Sequence, residues 1–249
     1  MKVAVAQVEL HAGQRSRNLG SVIRAVVQAS EHEPAPDLIV LPGACDFGSA
    51  GADTGRVTPA MCQGFVETLG ALAREWGVWI AAGHTTLMTT GTVSSAVLLD
   101  PDGDVWLRLP ADCQPQEGDE LISGGDGSAV LGDGLRIVAR CTALGTVALQ
   151  ARVVDEAGFE TGAIDLIVVP LAAGGQGGDS AAAGDGGDLA RSARACVCIA
   201  RSVGEEGDAC SGPADVSGVF DLSGRRLAEA QAGRPGIIFA ELEIEPPAG

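Results

Sequence analysis

One strand is written twice in this chain, and that repetition constrains the fold more than any other feature. Asp37-Leu38-Ile39-Val40-Leu41-Pro42 and Asp165-Leu166-Ile167-Val168-Val169-Pro170 each run four branched apolar residues from an aspartate to a proline. Such a short apolar run closed by a turn residue reads as a buried strand. The first copy follows a helical stripe, Leu19, Val22, Ile23, Val26 and Val27, at the spacing of one helix face. The two copies suggest two similar halves and an α/β chain with a mixed sheet.

The remaining pattern alternates strands and helices and then adds hairpins. Lys2–Val8 reads as a strand. Thr58-Pro59 is an N-cap followed by proline at the first helical position, opening a helix to Trp76 with Phe65, Leu69 and Leu72 on one face. Strands are expected at Gly77–Gly83, Val93–Asp100 and Asp104–Leu109, the last two joined by the tight turn Pro101-Asp102-Gly103. Pro110–Gly127 reads as irregular loop. Strands at 128–131 and 135–141 precede a helix near Val147–Ala157. Residues 171–188 form a Gly/Ala/Asp low-complexity run, read as a mobile loop. A short helix at 187–194, a strand Ala195–Ser202, a hairpin Val216–Leu227 and a strand Gly236–Glu243 complete the chain.

At 249 residues the sequence fits one domain, 1–249, long enough to bury a core. The net charge of −17 argues against nucleic acid and anionic membranes, which attract clustered Lys and Arg. Lys2 is the only lysine. Seven cysteines and three histidines show no metal-ligand spacing, so no metal and no cofactor is expected. The odd cysteine count and the short apolar N-terminal stretch point to a reducing, cytoplasmic location.

Several pieces, in order along nearly the whole chain, resemble the nitrilase (carbon–nitrogen hydrolase) superfamily. They are Ala6-Gln7 with Asn18-Leu19; Asp37–Pro42; Ser94-Ser95-Ala96 running into Asp100-Pro101-Asp102-Gly103; Glu117, Leu121 and Gly124; Asp165–Pro170; and Gly218–Ala230. The resemblance implies a four-layer α-β-β-α sandwich that usually dimerises. It also implies a thiolate nucleophile, a glutamate that moves the proton and a lysine that stabilises the developing charge. The family glutamate follows Leu-Pro, where this chain has Gly43. Aligning from Gly103 puts Ala111 at the lysine position, and Lys2 lies far away on the first strand. For the nucleophile, counting from Arg136 gives Thr142, while a shift of one residue gives Cys141, beside Arg140.

The expectation is therefore a catalytically degenerate nitrilase-fold protein. It would act as a homodimer or higher homo-oligomer, or as a structural or regulatory partner of another protein. One alternative is a hydrolase with relocated groups, Cys141 with Asp46 or Glu117. The other is a small-molecule binder whose emptied pocket lies near Gly43, Glu117, Arg140 and Thr142. Arg191 and Arg194 are expected on a solvated helix face, and His84 as a surface or satisfied histidine.

Overall fold

The computed structural model describes residues 1–48, 57–88, 91–110, 130–131, 136–141, 143–150, 164–171, 186–204 and 216–244. The first half contains β1 (Lys2–Glu9), α1 (Arg15–Ser30), β2 (Leu38–Val40), α2 (Pro59–Trp76), β3 (Trp79–Met88), β4 (Gly91–Leu99) and β5 (Val105–Pro110). Then come β6 (Val130–Leu131), β7 (Arg136–Cys141), β8 (Gly145–Gln150), β9 (Leu166–Leu171), α3 (Gly186–Ala193) and β10 (Cys196–Val203). The chain closes with β11 (Gly218–Phe220), β12 (Arg226–Glu229) and β13 (Gly236–Glu241).

Local chemistry sets the helices. Thr58 caps α2, its Oγ1 accepting from the Met61 N–H at 3.2 Å, and Gly77 ends the helix at φ 65°, where a side chain would be strained. Asn18, Val22, Ala25, Val26 and Ala29 form the buried face of α1.

The described strands join in the order β5-β4-β3-β2-β1-β10-β9-β8-β7-β6, with β13 paired to β1 and the β11–β12 ladder paired to β10. The β1–β10 link is short, Val8 with Ser202 and Glu9 with Val203. The sheet folds over at that link, so its two halves face each other. Val3, Val5, Leu38, Val40, Leu98 and Leu107 from one half pack with Leu149, Leu166, Val168 and Cys198 from the other. Each such side chain, fully buried, contributes roughly 1.5–3 kcal/mol. The other face of the first half packs on α1 and α2, through Ala4, Ile39, Ile80, Val26, Phe65 and Leu69. The other face of the second half packs on α3, through Ile167, Val169, Val197 and Leu189. The result is the four-layer α-β-β-α sandwich.

The repeated strand lies at the centre of each half. β2 runs parallel to β1 and β3, and β9 runs parallel to β8 and β10. The two aspartates that open these strands make the same three bonds. Asp37 N donates to Lys2 O at 2.8 Å, Asp37 Oδ2 accepts from Lys2 N at 2.7 Å, and Asp37 O accepts from Trp79 N at 3.0 Å. Asp165 N donates to Thr146 O at 2.9 Å, its Oδ2 accepts from Thr146 N at 2.6 Å, and its O accepts from Cys196 N at 3.0 Å. β1-β2-β3 and β8-β9-β10 are thus equivalent sets of parallel strands, as the sequence repeat suggests.

Two expectations change. The helix near Val147–Ala157 is not formed over 145–150, which is β8; residues 151–157 lie outside the described set. Val147 and Leu149 face the other sheet and Ala148 faces the helical layer, so period-two burial and pairing on both sides override the short apolar run's ambiguity. The loop expected at 171–188 is narrower, since Leu171 ends β9 and Gly186–Asp188 open α3.

Asp165→Ala should lower the unfolding free energy by about 1–2 kcal/mol. Asp37→Ala should cost less, because Lys2 N lies at the surface, where water replaces the lost acceptor. Urea unfolding of the two variants measures the difference, and equal losses would show that exposure does not set the cost.

Candidate functional site

Beyond β2 the chain stays zipped to β3 through a turn. Leu41 N donates to Ala81 O, Gly83 N to Pro42 O and Cys45 N to Gly83 O, at 2.8, 2.8 and 3.0 Å. Gly43 crosses directly over Gly83. A Cβ on Gly83 would stand 2.4 Å from the Gly43 Cα, so only glycine permits this approach. Ala44 follows in the left-handed region, at φ 49°.

Asp46 then takes the place that a strand carbonyl would hold. Its Oδ1 accepts from Thr85 N at 3.0 Å, from Thr85 Oγ1 at 2.9 Å and from Phe47 N at 3.0 Å, and its Oδ2 accepts from Thr85 N at 2.9 Å. It is fully buried. Asn18 ties the turn to β1 and α1, donating to Asp46 O at 3.2 Å and to His11 O at 2.8 Å, and accepting from His11 N at 2.8 Å. Asp46 is an anchor of the turn, with most of its accepting capacity used by the backbone.

The other expected positions are not brought together with Gly43. Lys2 lies level with Asp37, and Gly43 is six residues further along the same direction, about 20 Å at the rise of a strand. The Lys2 ammonium donates to Pro34 O, stands 2.9 Å from His32 Nδ1, and lies 5.4 Å from the centre of the Phe239 ring. Cys141 pairs with Gly145, the first residue of β8, because β7 runs antiparallel to β8. β8 in turn is parallel to β9, β10, β1 and β2. Gly43 therefore follows the C-terminal end of these parallel strands, while Cys141 and Arg140 stand at the N-terminal end. Ala111, Glu117 and Thr142 lie outside the described residues.

This topology identifies a position that the sequence reading missed. The strand beside β9 that runs parallel to it is β8, so the strand end on the Gly43 side belongs to Gln150, not Cys141. Gln150 is fully buried, with neither Oε1 nor Nε2 bonded among the described residues. The helix expected over Val147–Ala157 concealed this, because it made β7 the only available strand.

The four thiols Cys45, Cys62, Cys196 and Cys198 are all buried and pushed up. Burial, with Asp46 adding to it, pushes Cys45 and Cys62 up. Burial raises Cys196 and Cys198 as well. His84 is buried, contrary to the expected surface or satisfied histidine. Its Nδ1 is 3.0 Å from Thr85 O, its Nε2 has no partner among the described residues, and Phe65 stacks on the ring at 6.4 Å. Burial lowers its affinity for a proton; Asp46 works against this and Arg108 reinforces it. The Arg108 Nε is also unpartnered. Arg191 and Arg194 are exposed, and Arg191 bonds Asp188. No described helix is long and apolar enough to cross a membrane.

A sequence model of the family described as carbon-nitrogen hydrolase matches residues 2–114. No curated protein matches the sequence. Among solved structures, the amidase from Nesterenkonia sp. AN1 is similar in several forms. One, a glutamate-to-glutamine mutant showing Michael addition of acrylamide at the active-site cysteine, is 20% identical; the match covers 97% of this chain and 93% of that one, with a TM-score of 0.70. A cysteine-to-alanine mutant in complex with butyramide is also 20% identical, with 99% and 91% coverage and a TM-score of 0.70. The N-terminal part of the chain therefore resembles the carbon–nitrogen hydrolase family in sequence, and the described residues share the fold of these amidase structures.

Asp46→Ala should destabilise the protein by at least about 3 kcal/mol, since it leaves buried donors on Thr85 and Phe47 unpaired. Asp46→Asn, which keeps one acceptor oxygen, should cost clearly less. Thermal unfolding of both variants tests the anchoring role.

Proposed function

We propose that this chain is a catalytically degenerate nitrilase-fold protein that works through association, as a homo-oligomer or as a structural or regulatory partner of another protein, rather than by hydrolysing C–N bonds. The observation that carries the reading is the turn at Gly43. The residue that follows Leu-Pro has no side chain, and its backbone lies against Gly83. The nearest carboxylate along the chain, Asp46, is engaged by Thr85 and Phe47. Neither the sole lysine nor Cys141 stands at this end of the parallel strands. General acid–base catalysis supplies typically 10²–10⁴-fold, and one charge-stabilising donor roughly 10²–10³-fold. A site without either group falls short of the family's chemistry by about four orders of magnitude or more. The core between the sheets does not depend on those groups, so the surfaces of the fold remain available for assembly.

The test is ammonia release from small aliphatic amides such as acrylamide and butyramide, with wild type and Cys141→Ala compared, alongside native mass spectrometry of the protein from its own cells. The expected result is no release above buffer from either protein, and a stable oligomer or hetero-complex. Release by wild type that disappears in Cys141→Ala would overturn the reading in favour of a relocated hydrolase. A monomer carrying a small extra mass would favour ligand binding instead.

A further inference from the structure

We propose that His84 is an acid-sensitive latch on the Gly43–Gly48 turn: when it takes up a proton, the turn is released from β3 while the sandwich core stays folded. The argument starts from the tautomer. Thr85 O can only accept, so the proton of neutral His84 sits on Nδ1, 3.0 Å away. Nε2 is left as a bare lone pair, buried and without a partner among the described residues. A proton arriving there creates a buried N–H with no acceptor and a buried charge.

The charged groups that bear on the ring are two among the described residues, Asp46 from the turn and Arg108 from β5. The packed neighbour from α2 is the Phe65 ring, which is uncharged, and the cross-strand partner on β4 is Ser95, whose hydroxyl donates to Thr86 Oγ1 at 2.7 Å. Arg108 repels an imidazolium. Among the described residues Asp46 is the one charged group that attracts it, and Asp46 is also what holds the turn. Both carboxylate oxygens are occupied by Thr85, and Oδ1 additionally by Phe47. A protonated His84 therefore competes with Thr85 for Asp46. Drawing the carboxylate away frees the Thr85 N–H, the last contact in the zipper that runs from Leu41 through Cys45 to Asp46. The latch lies beside Gly43, but it requires no assumption about hydrolysis.

The direction with pH follows from linkage. An unfolded histidine binds its proton around the ordinary value of 6.5, whereas folded His84 binds it only at lower pH. The closed turn is therefore fully stabilised above pH 6.5 and loses that stability as pH falls through the depressed folded value.

Amide hydrogen exchange between pH 7.5 and 4.5, expressed as protection factors, reads this directly. Protection at Cys45, Phe47 and Thr85 should fall by up to about tenfold per pH unit once His84 begins to protonate, while Val5 and Val168 in the core hold theirs. His84→Gln should flatten the pH dependence at the turn. If that variant does not fold, the wild-type profile still decides: pH-independent protection at the turn, or a uniform fall that includes Val5 and Val168, overturns the latch. A profile in His84→Gln identical to wild type overturns it as well.

Discussion

Two carboxylates at the start of two strands organise the molecule. Asp37 and Asp165 each bond a neighbouring strand through the side chain and a second strand through the backbone, which locks three parallel strands in register at their N-terminal ends. With the register set at one end, the apolar runs that follow alternate between the inter-sheet core and the helical layers. A slip of one residue would turn Leu38 and Val40, or Leu166 and Val168, away from the opposing sheet. The candidate site at Gly43 lies toward the other end, where the strands run out and the chain must turn.

At that end the chain keeps the fold it shares with the amidase structures, while its polar groups serve the backbone. Pro42, Gly43 and Cys45 remain stitched to β3, and Asp46 replaces a missing strand carbonyl. Such a turn is held by hydrogen bonds to a carboxylate whose charge is stabilised by donors. That makes it rigid under neutral conditions and sensitive to any group that can compete for the carboxylate. His84 is the buried group placed to do so, and it owes this to its position one residue before Thr85 on β3.

The comparison with the amidase structures carries the fold and nothing finer, because 20% identity leaves side chains free to change while the core is kept. The match to the family sequence model ends at residue 114, before the segment in which the nucleophile would lie. This is where the sequence reading and the structure part company. In the sequence, Cys141 makes 135–141 the candidate nucleophile strand. The antiparallel pairing of β7 and the parallel pairing of β8 put Cys141 at the N-terminal end of the parallel strands and Gln150 at the end where Gly43 lies.

The four-layer architecture was implied only by the family resemblance, whereas the sequence itself carried the element order of the first half, the Thr58 cap and the repeated central strands. These follow from local signals: apolar periodicity, a capping hydroxyl, and aspartate and proline at fixed ends of a run. The sequence also shows that glycine follows Leu-Pro and that Lys2 is the only lysine. What it could not determine was direction. Val147-Ala148-Leu149 fits a helix or a strand equally well over so short a span, and only the partners on either side, β7 and β9, make it a strand. Burial of His84 against Phe65, and the use of Asp46 as a backbone acceptor, likewise depend on residues 19 and 39 positions away in the chain. Local chemistry wrote the strands; tertiary pairing decided which strand ends meet, and so which side chains stand beside Gly43.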